Sequence, residues 1–269
     1  MYEAHFGLNE PPFNVTPDSR FVYMSRHHQA ALSSMKYGIE RRSGFIQVTG
    51  EIGAGKTTLS RMLLQQIGEK VHTSLVFNPK LSEMELLQVI VEDFGLKPVS
   101  KKRKGYFDAL NRFLLEESSK GFNAVLIIDE AQLLSPRALE QVRLLSNLET
   151  ASQKLLQIIL MGQPELREVL DRRDLKQLKQ RIAIRCHLPE LNLDEVGHYI
   201  RHRLSVAGVS REIFVPEAIR RIHELSSGIP RVINILADRA LLAAFAAGVQ
   251  SVDAATIECA ETDLQGVAV

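Results

Sequence analysis

Short apolar runs of strand length recur along the first two thirds of this chain, and between them apolar residues return every three or four positions. Phe45-Ile46-Gln47-Val48-Thr49 is followed by Thr58 to Ile67, where Leu59, Met62, Leu63 and Ile67 share one helical face. Ser74-Leu75-Val76-Phe77 ends at Asn78-Pro79, and a helix is predicted after Ser82, capped through Glu85 three residues on. Another helix, Tyr106 to Ser118, precedes Ala124-Val125-Leu126-Ile127-Ile128, the strongest buried-strand signal of the chain. Leu155 to Met161 and Ile182 to His187 read as further strands. Uniformly apolar strands alternating with helices predict an α/β fold with a parallel sheet covered on both faces.

The two ends read differently. Pro11, Pro12, Phe13 and Pro17 predict an extended coil, which leads to Phe21-Val22-Tyr23 and a helix from about Ser25 to Arg41. After Leu188-Pro189 only helices are predicted: Asp194 to Ala207, Pro216 to Ser226, Arg231 to Ala247 and Asp253 to Asp263. Pro216 stands at a helix start, where its missing N–H costs nothing. The expected division is an α/β domain over 1–190, with an N-terminal segment 1–24, and a helical lid over 191–269.

With 269 residues the chain has room for a large core and a second small domain, and no internal repeat is visible. A formal charge of +1 leaves nucleic acid open, because a balanced total can hide a local patch. Cys186 and Cys259 lack metal or redox spacing and read as reduced thiols of a cytosolic protein. No signal peptide is read at Met1-Tyr2-Glu3, and the apolar stretch Ala240 to Val249 is too short to span a bilayer. A cytoplasmic chain without a membrane span is expected.

Gly50-Glu51-Ile52-Gly53-Ala54-Gly55-Lys56-Thr57 matches the pattern G-x-x-x-x-G-K-[ST] in full. Glycines allow a tight turn whose N–H groups face phosphate oxygens, and Thr58 continues into the helix whose amino end favours anions. Lys56 is expected to reach the β- and γ-phosphates, and Thr57 to ligate Mg²⁺. Strand before and helix after are the context that this motif requires.

Asp129 and Glu130 follow the apolar strand 124–128, at the sheet edge where α/β folds bind ligands. Asp129 is expected to hold Mg²⁺ through water, and Glu130 to polarise the water that attacks the γ-phosphate. Gln163 ends the next strand; it either orients that water or belongs to an ordinary Gly162-Gln163-Pro164 turn. Arg181 and Arg185 bracket Ile182-Ala183-Ile184, as an arginine finger for a neighbouring subunit or as surface cations beside Lys176 and Lys179. Arg231 opens a helix after Gly228-Ile229-Pro230, so it is placed to turn toward the phosphates and couple the lid to nucleotide state. The run Lys101-Lys102-Arg103-Lys104 reads as a solvated loop or as a contact for nucleic-acid phosphates or acidic lipid heads. His27-His28 reads as a capping or packing pair, with no ligand partner at metal spacing.

These pieces together resemble the AAA+ ATPases, and more narrowly the ATPase domain of the general secretion pathway protein A (ExeA) type. Besides the motifs above, the resemblance is carried by Phe6-Gly7-Leu8, Pro12-Phe13, Thr16-Pro17-Asp18, His28 before Ala31-Leu32, Tyr37-Gly38-Ile39, Ala131-Gln132, Glu165-Leu166 and Gln180. It implies a parallel five-stranded P-loop core with a helical lid, Mg²⁺ and ATP as cofactors, and a ring or filament with active sites shared between subunits. It also implies Gln163 as first sensor, Arg231 as second sensor, Arg181 rather than Arg185 as the finger, and Phe21-Val22-Tyr23 near the adenine. Proteins of that type continue into a membrane span and a peptidoglycan-binding domain, to which nothing here corresponds. The expected function is ATP hydrolysis that drives or switches assembly of an envelope secretion machine. The alternative is a nucleotide-gated DNA-binding scaffold, as in related ATPases that regulate transposition. A helicase is disfavoured, because the chain holds a single nucleotide core.

Overall fold

The computed structural model describes residues 1–14, 18–77, 80–264 and 266. Helix α1 (Tyr2–Phe6) and a 3₁₀ turn at Ser19–Phe21 precede α2 (Arg26–Glu40). Next come β1 (Phe45–Gly50), α3 (Lys56–Gln66), β2 (Val71–Val76), α4 (Glu83–Asp93), α5 (Arg103–Ser119) and β3 (Asn123–Ile128). They are followed by α6 (Pro136–Leu145), β4 (Gln157–Gly162), α7 (Glu165–Leu170), α8 (Lys176–Gln180) and β5 (Ile182–Leu188). The remainder is helical: α9 (Leu193–Val206), α10 (Pro216–Ser226), α11 (Pro230–Ala246) and α12 (Ala254–Leu264).

The described strands form one parallel sheet in the order β2-β3-β4-β1-β5. Its inner strands are buried almost throughout, whereas β2 and β5 at the edges are partly exposed. That difference governs how they appear in sequence. A strand covered on both faces must be apolar at nearly every position, while an edge strand tolerates polar residues. The polar start of β2, Val71-His72-Thr73, therefore belongs to the sheet although the apolar signal begins at Ser74. The expected strand end at Asn78-Pro79 lies outside the described residues, as do Thr16 and Pro17.

Two compact units divide the chain. The sheet unit comprises 27–50 and 59–188. Ala124, Leu126, Ile128, Ile158 and Leu160 meet Leu86, Ile90, Leu110, Leu139 and Val142 from α4, α5 and α6 in its core. Ser82 caps α4 with the expected reciprocal bonds to Glu85, and Ser135 caps α6 through the amide of Ala138, with Pro136 in its first turn. On the other face, Gly38 of α2 lies so close to the sheet that a Cβ there would stand 2.6 Å from Ile46 and 2.7 Å from Ile184.

The helical unit comprises 1–26, 51–58 and 189–269. Tyr2, Phe6, Leu8, Phe13 and Phe21 enter its core beside Val196, Ile200, Phe214, Ile233 and Leu241. The extended coil expected at the N-terminus is thus corrected in part: Tyr2 and Phe6 lie four residues apart on one face of α1, and burying both stabilises a helix too short to persist alone. The Tyr2 hydroxyl donates to Asp238 (2.5 Å), and burial together with this carboxylate raises its pKa. Whereas the expected division counts residues 1–24 with the α/β domain, their buried side chains pack with α9, α10 and α11. No described helix is long and apolar enough to cross a membrane.

Candidate active site

The carboxyl ends of β1, β3, β4 and β5 fall on one edge of the parallel sheet, with Thr49 paired to Gly162, Gly50 to Leu188 and Ile128 to Leu160. From this edge the chain delivers its chemistry-bearing residues. The glycine loop leaves β1 directly at Gly50 and ends where Lys56 begins α3. Asp129 and Glu130 follow β3, and Gln163 follows β4.

Within the helical unit, the loop turns through left-handed conformations at Gly53 (φ 84°) and Gly55 (φ 99°), which a side chain rarely adopts. The amide of Ala54 closes the turn on the carbonyl of Glu51 (3.1 Å). Buried Lys56 extends its Nζ back to the same carbonyl (2.9 Å), so its ammonium lies over the loop it belongs to. Thr57 and Thr58 stand in the first turn of α3, and Ile52 projects outward.

Gly53 also answers why a glycine is needed there. A Cβ on it would meet the Cβ of Arg231 at 2.5 Å and Ile229 at 3.3 Å. The amino end of α11 therefore packs directly on the loop, and Arg231 sits in the first turn after Pro230, with no acidic neighbour in that turn. Gly228 is equally constrained: it has φ 73°, and a Cβ would stand 2.0 Å from the carbonyl oxygen of Leu191. Phe21, expected near the adenine, is buried in this unit with the Arg203 guanidinium 5.1 Å from its ring, while Tyr23 stands edge-on to Tyr199.

In the sheet unit the two carboxylates behave differently. Asp129 is buried and accepts from the amide of Glu130 (2.9 Å). Glu130 adopts φ 51°, a left-handed backbone that costs a non-glycine residue roughly 1–2 kcal/mol. One oxygen of its carboxylate, Oε2, receives two amide donors: Nε2 of Gln132 (2.6 Å) and Nε2 of Gln163 (3.1 Å). The Gln132 carbonyl oxygen in turn accepts from the backbone N–H of Gln163 (3.1 Å). Because a backbone N–H only donates, that bond settles which end of the Gln132 amide faces Glu130. Gly162 makes room for it, since a Cβ there would come within 2.6 Å of the Gln132 oxygen. Sequence reading gave Gln132 no role; a polar residue two positions beyond the glutamate was the signal present.

Arg181 is half-buried rather than solvent-facing. Its Nη1 donates to Ser146 Oγ (2.8 Å), Asn147 Oδ1 (2.5 Å) and the carbonyl of Arg143 (3.5 Å) at the carboxyl end of α6. Arg185 is exposed on edge strand β5 and donates to the carbonyl of Lys179 (2.9 Å). His28 is buried in α2, and among the described residues no cluster of three metal-ligating side chains exists. The thiol of Cys186 is pushed up by burial, and Cys259 is exposed.

Residues 39–170, from the end of α2 to the end of α7, match the AAA domain family. General secretion pathway protein A of Aeromonas hydrophila is 45% identical over 269 residues, which is 99% of this chain and 49% of that protein. The chain thus spans about half the length of that relative. Among solved structures, Drosophila ORC bound to DNA superposes with a TM-score of 0.69 at 20% identity, covering 98% of this chain and 66% of that one. Aeropyrum pernix ORC2 in ADPNP-ADP complexes gives 0.68 at 17% identity, covering 95% and 72%. The Thermotoga maritima RuvB branch migration motor gives 0.59 at 17%, covering 90% and 70%. At these identities the structural likenesses establish the fold, a P-loop core with a helical C-terminal region.

Proposed function

The chain belongs to the AAA+ ATPases of the general secretion pathway protein A type, and from that premise we propose how it binds and hydrolyses ATP. The observation that supports this most is the pair of amides holding Glu130 at the sheet edge from which the phosphate loop departs. Loop residues Gly50 to Thr58 cradle the phosphates through backbone N–H groups, and Lys56 leaves its carbonyl partner for the β- and γ-phosphates. With Oε2 of Glu130 occupied by Gln132 and Gln163, Oε1 takes the proton of a water whose oxygen attacks the γ-phosphorus. The bond to the β-phosphate oxygen breaks, and ADP leaves with that electron pair. Thr57 and Asp129 offer a hydroxyl and a carboxylate, hard oxygen donors suited to a Mg²⁺ that keeps several waters. A Mg²⁺ held by these residues would supply charge neutralisation to the phosphates.

Arg231, packed on Gly53, senses the phosphates and passes their state to α11, in a lid running from about residue 191. Arg181 serves as the finger for the site of an adjacent copy, anchored at the end of α6 so that its orientation is set before assembly. The ATP cycle drives or switches assembly of an envelope secretion machine from the cytoplasmic side, where ATP is supplied.

Mg²⁺-ATP must raise the melting temperature of the wild-type protein, because ligation stabilises the folded state. Lys56→Ala abolishes that rise. A wild-type protein indifferent to millimolar nucleotide removes the ATPase reading altogether. For the shared site, Arg181→Ala binds ATP normally and hydrolyses it poorly, and mixing it with Glu130→Gln restores activity at interfaces that pair an intact base with an intact finger. Activity per subunit that is independent of dilution, with no complementation, removes the shared site and leaves nucleotide binding intact.

A further inference from the structure

Between α4 and α5 the chain runs Leu96-Lys97-Pro98-Val99-Ser100-Lys101-Lys102 and enters the helix with Arg103-Lys104. Lys97, Lys101, Lys102 and Lys104 are exposed, and so is Arg112 further along α5. Among the described residues none of these five has an ion-pair partner; only Arg103 is engaged, by Gln141 and at 3.9 Å by Glu83. A cleft of about 370 Å³ lies here, lined by Lys97, Lys102, Lys104 and Arg112 against the single acid Asp108.

This arrangement is unfavourable for folding. The cations repel one another and crowd the amino end of α5, whose first turn has no acidic residue and whose cap position, Lys102, makes no side-chain cap. The loop is nonetheless tightly folded: a Cβ on Gly105 would stand 2.2 Å from the carbonyl oxygen of Ser100. At its tip Val99 is 89% exposed, while among the described residues the next most exposed large apolar side chain away from the chain start, Tyr37, reaches 57%. An apolar tip ringed by unpaired lysines gains nothing from a nucleic acid, which offers phosphates but no apolar medium, and the loop has no aromatic residue to stack on bases. A bilayer with anionic headgroups offers both.

We propose that the loop 97–104 docks on an anionic membrane surface. Val99 enters the boundary between headgroups and acyl chains, and Lys97, Lys101, Lys102, Lys104 and Arg112 contact lipid phosphates. This surface acts independently of ATP hydrolysis.

Flotation of the whole chain with vesicles of phosphatidylcholine alone, or with about a quarter phosphatidylglycerol, across a salt series tests it. Binding to the anionic vesicles alone is expected, weakening steeply with salt. Replacing Lys101, Lys102 and Lys104 together by Ala should weaken it about a hundredfold, at roughly fivefold per cation. The chain contains no tryptophan, so Val99→Trp supplies a single emitter whose spectrum shifts to the blue on anionic vesicles, whereas Val249→Trp does not shift. Unchanged melting temperatures and ATP-induced shifts show that the variants are folded. Equal binding to neutral vesicles, undiminished binding of the triple variant, or an unshifted Val99→Trp spectrum on bound vesicles overturns the proposal. So does retention on duplex DNA at a salt concentration where anionic vesicles are not bound.

Discussion

The sheet unit and the helical unit solve the problem of a core in different ways. In the sheet unit, strands and covering helices follow one another along the chain, and inner strands such as Val125-Leu126-Ile127-Ile128 are apolar because both faces are covered. In the helical unit the core closes only when the two ends of the chain meet. Phe13 packs edge-on to Phe214 at 5.8 Å, and buried Arg203 donates to the carbonyl of Pro12 (2.6 Å), to that of Asn14 (3.0 Å) and to the hydroxyl of Tyr199 (2.8 Å). The amide of Asn9 donates to the carbonyl of Ala207 (2.8 Å). Cores closed by distant segments require larger loops to be ordered first, so the helical unit depends on its first residues more than their coil-like composition suggests.

The largest effect is expected where that dependence is most direct. Phe13→Ala should cost roughly 3–5 kcal/mol in denaturant unfolding, as much as a fully buried aromatic in any core. A loss below about 0.5 kcal/mol would mean that the N-terminal segment is an appendage and that the contrast between units is empty.

Next comes Glu130→Gln, which keeps shape but removes the base proposed above. Turnover should fall about a hundredfold or more while ATP still raises the melting temperature. Undiminished turnover would place the base elsewhere. Lys56→Ala sharpens the comparison, since it should abolish the ATP-induced rise in melting temperature that Glu130→Gln is expected to keep.

Gln132→Ala should reduce turnover about tenfold, because it releases one of two amides from the carboxylate and leaves the N–H of Gln163 without its acceptor. Stability and ATP binding should barely move. If turnover is unchanged, Gln163 alone orients Glu130.

The smallest effect is one of pH. His202, in the helical unit, has its pKa lowered by burial and then by the neighbouring Arg203. The unfolded chain therefore binds more protons than the folded one just below about pH 6.5, and stability is lost as pH falls from there through the folded pKa. Denaturation midpoints should drop on mild acidification, and less so in His202→Phe. Parallel curves for the two proteins would show that His202 does not contribute.

How legible each part was follows from the same contrast. The phosphate loop, Asp129-Glu130 at a strand end and the capping of α4 by Ser82 are local patterns, and each appears in the structure where its spacing places it. Helices α6, α7 and α8 went unread because they are short, interrupted by turns, and wedged between stronger strand signals. The polar neighbours of Arg181 leave it open as a finger or a surface cation, because its partners Ser146 and Asn147 lie more than thirty residues upstream and leave no trace in its own segment.

The sequence by itself determined the class of fold, the glycine loop between β1 and α3 and the carboxylates that follow β3, because burial on both faces and tight glycine turns constrain residue types position by position. Only the tertiary structure decided that Tyr2, Phe6 and Phe13 belong with α9 to α11, that Gln132 and Gln163 converge on one oxygen of Glu130, and that Gly53 must yield space to Arg231. Each of these is a contact between residues distant in the chain, and its chemistry exists only once the fold has brought both partners together.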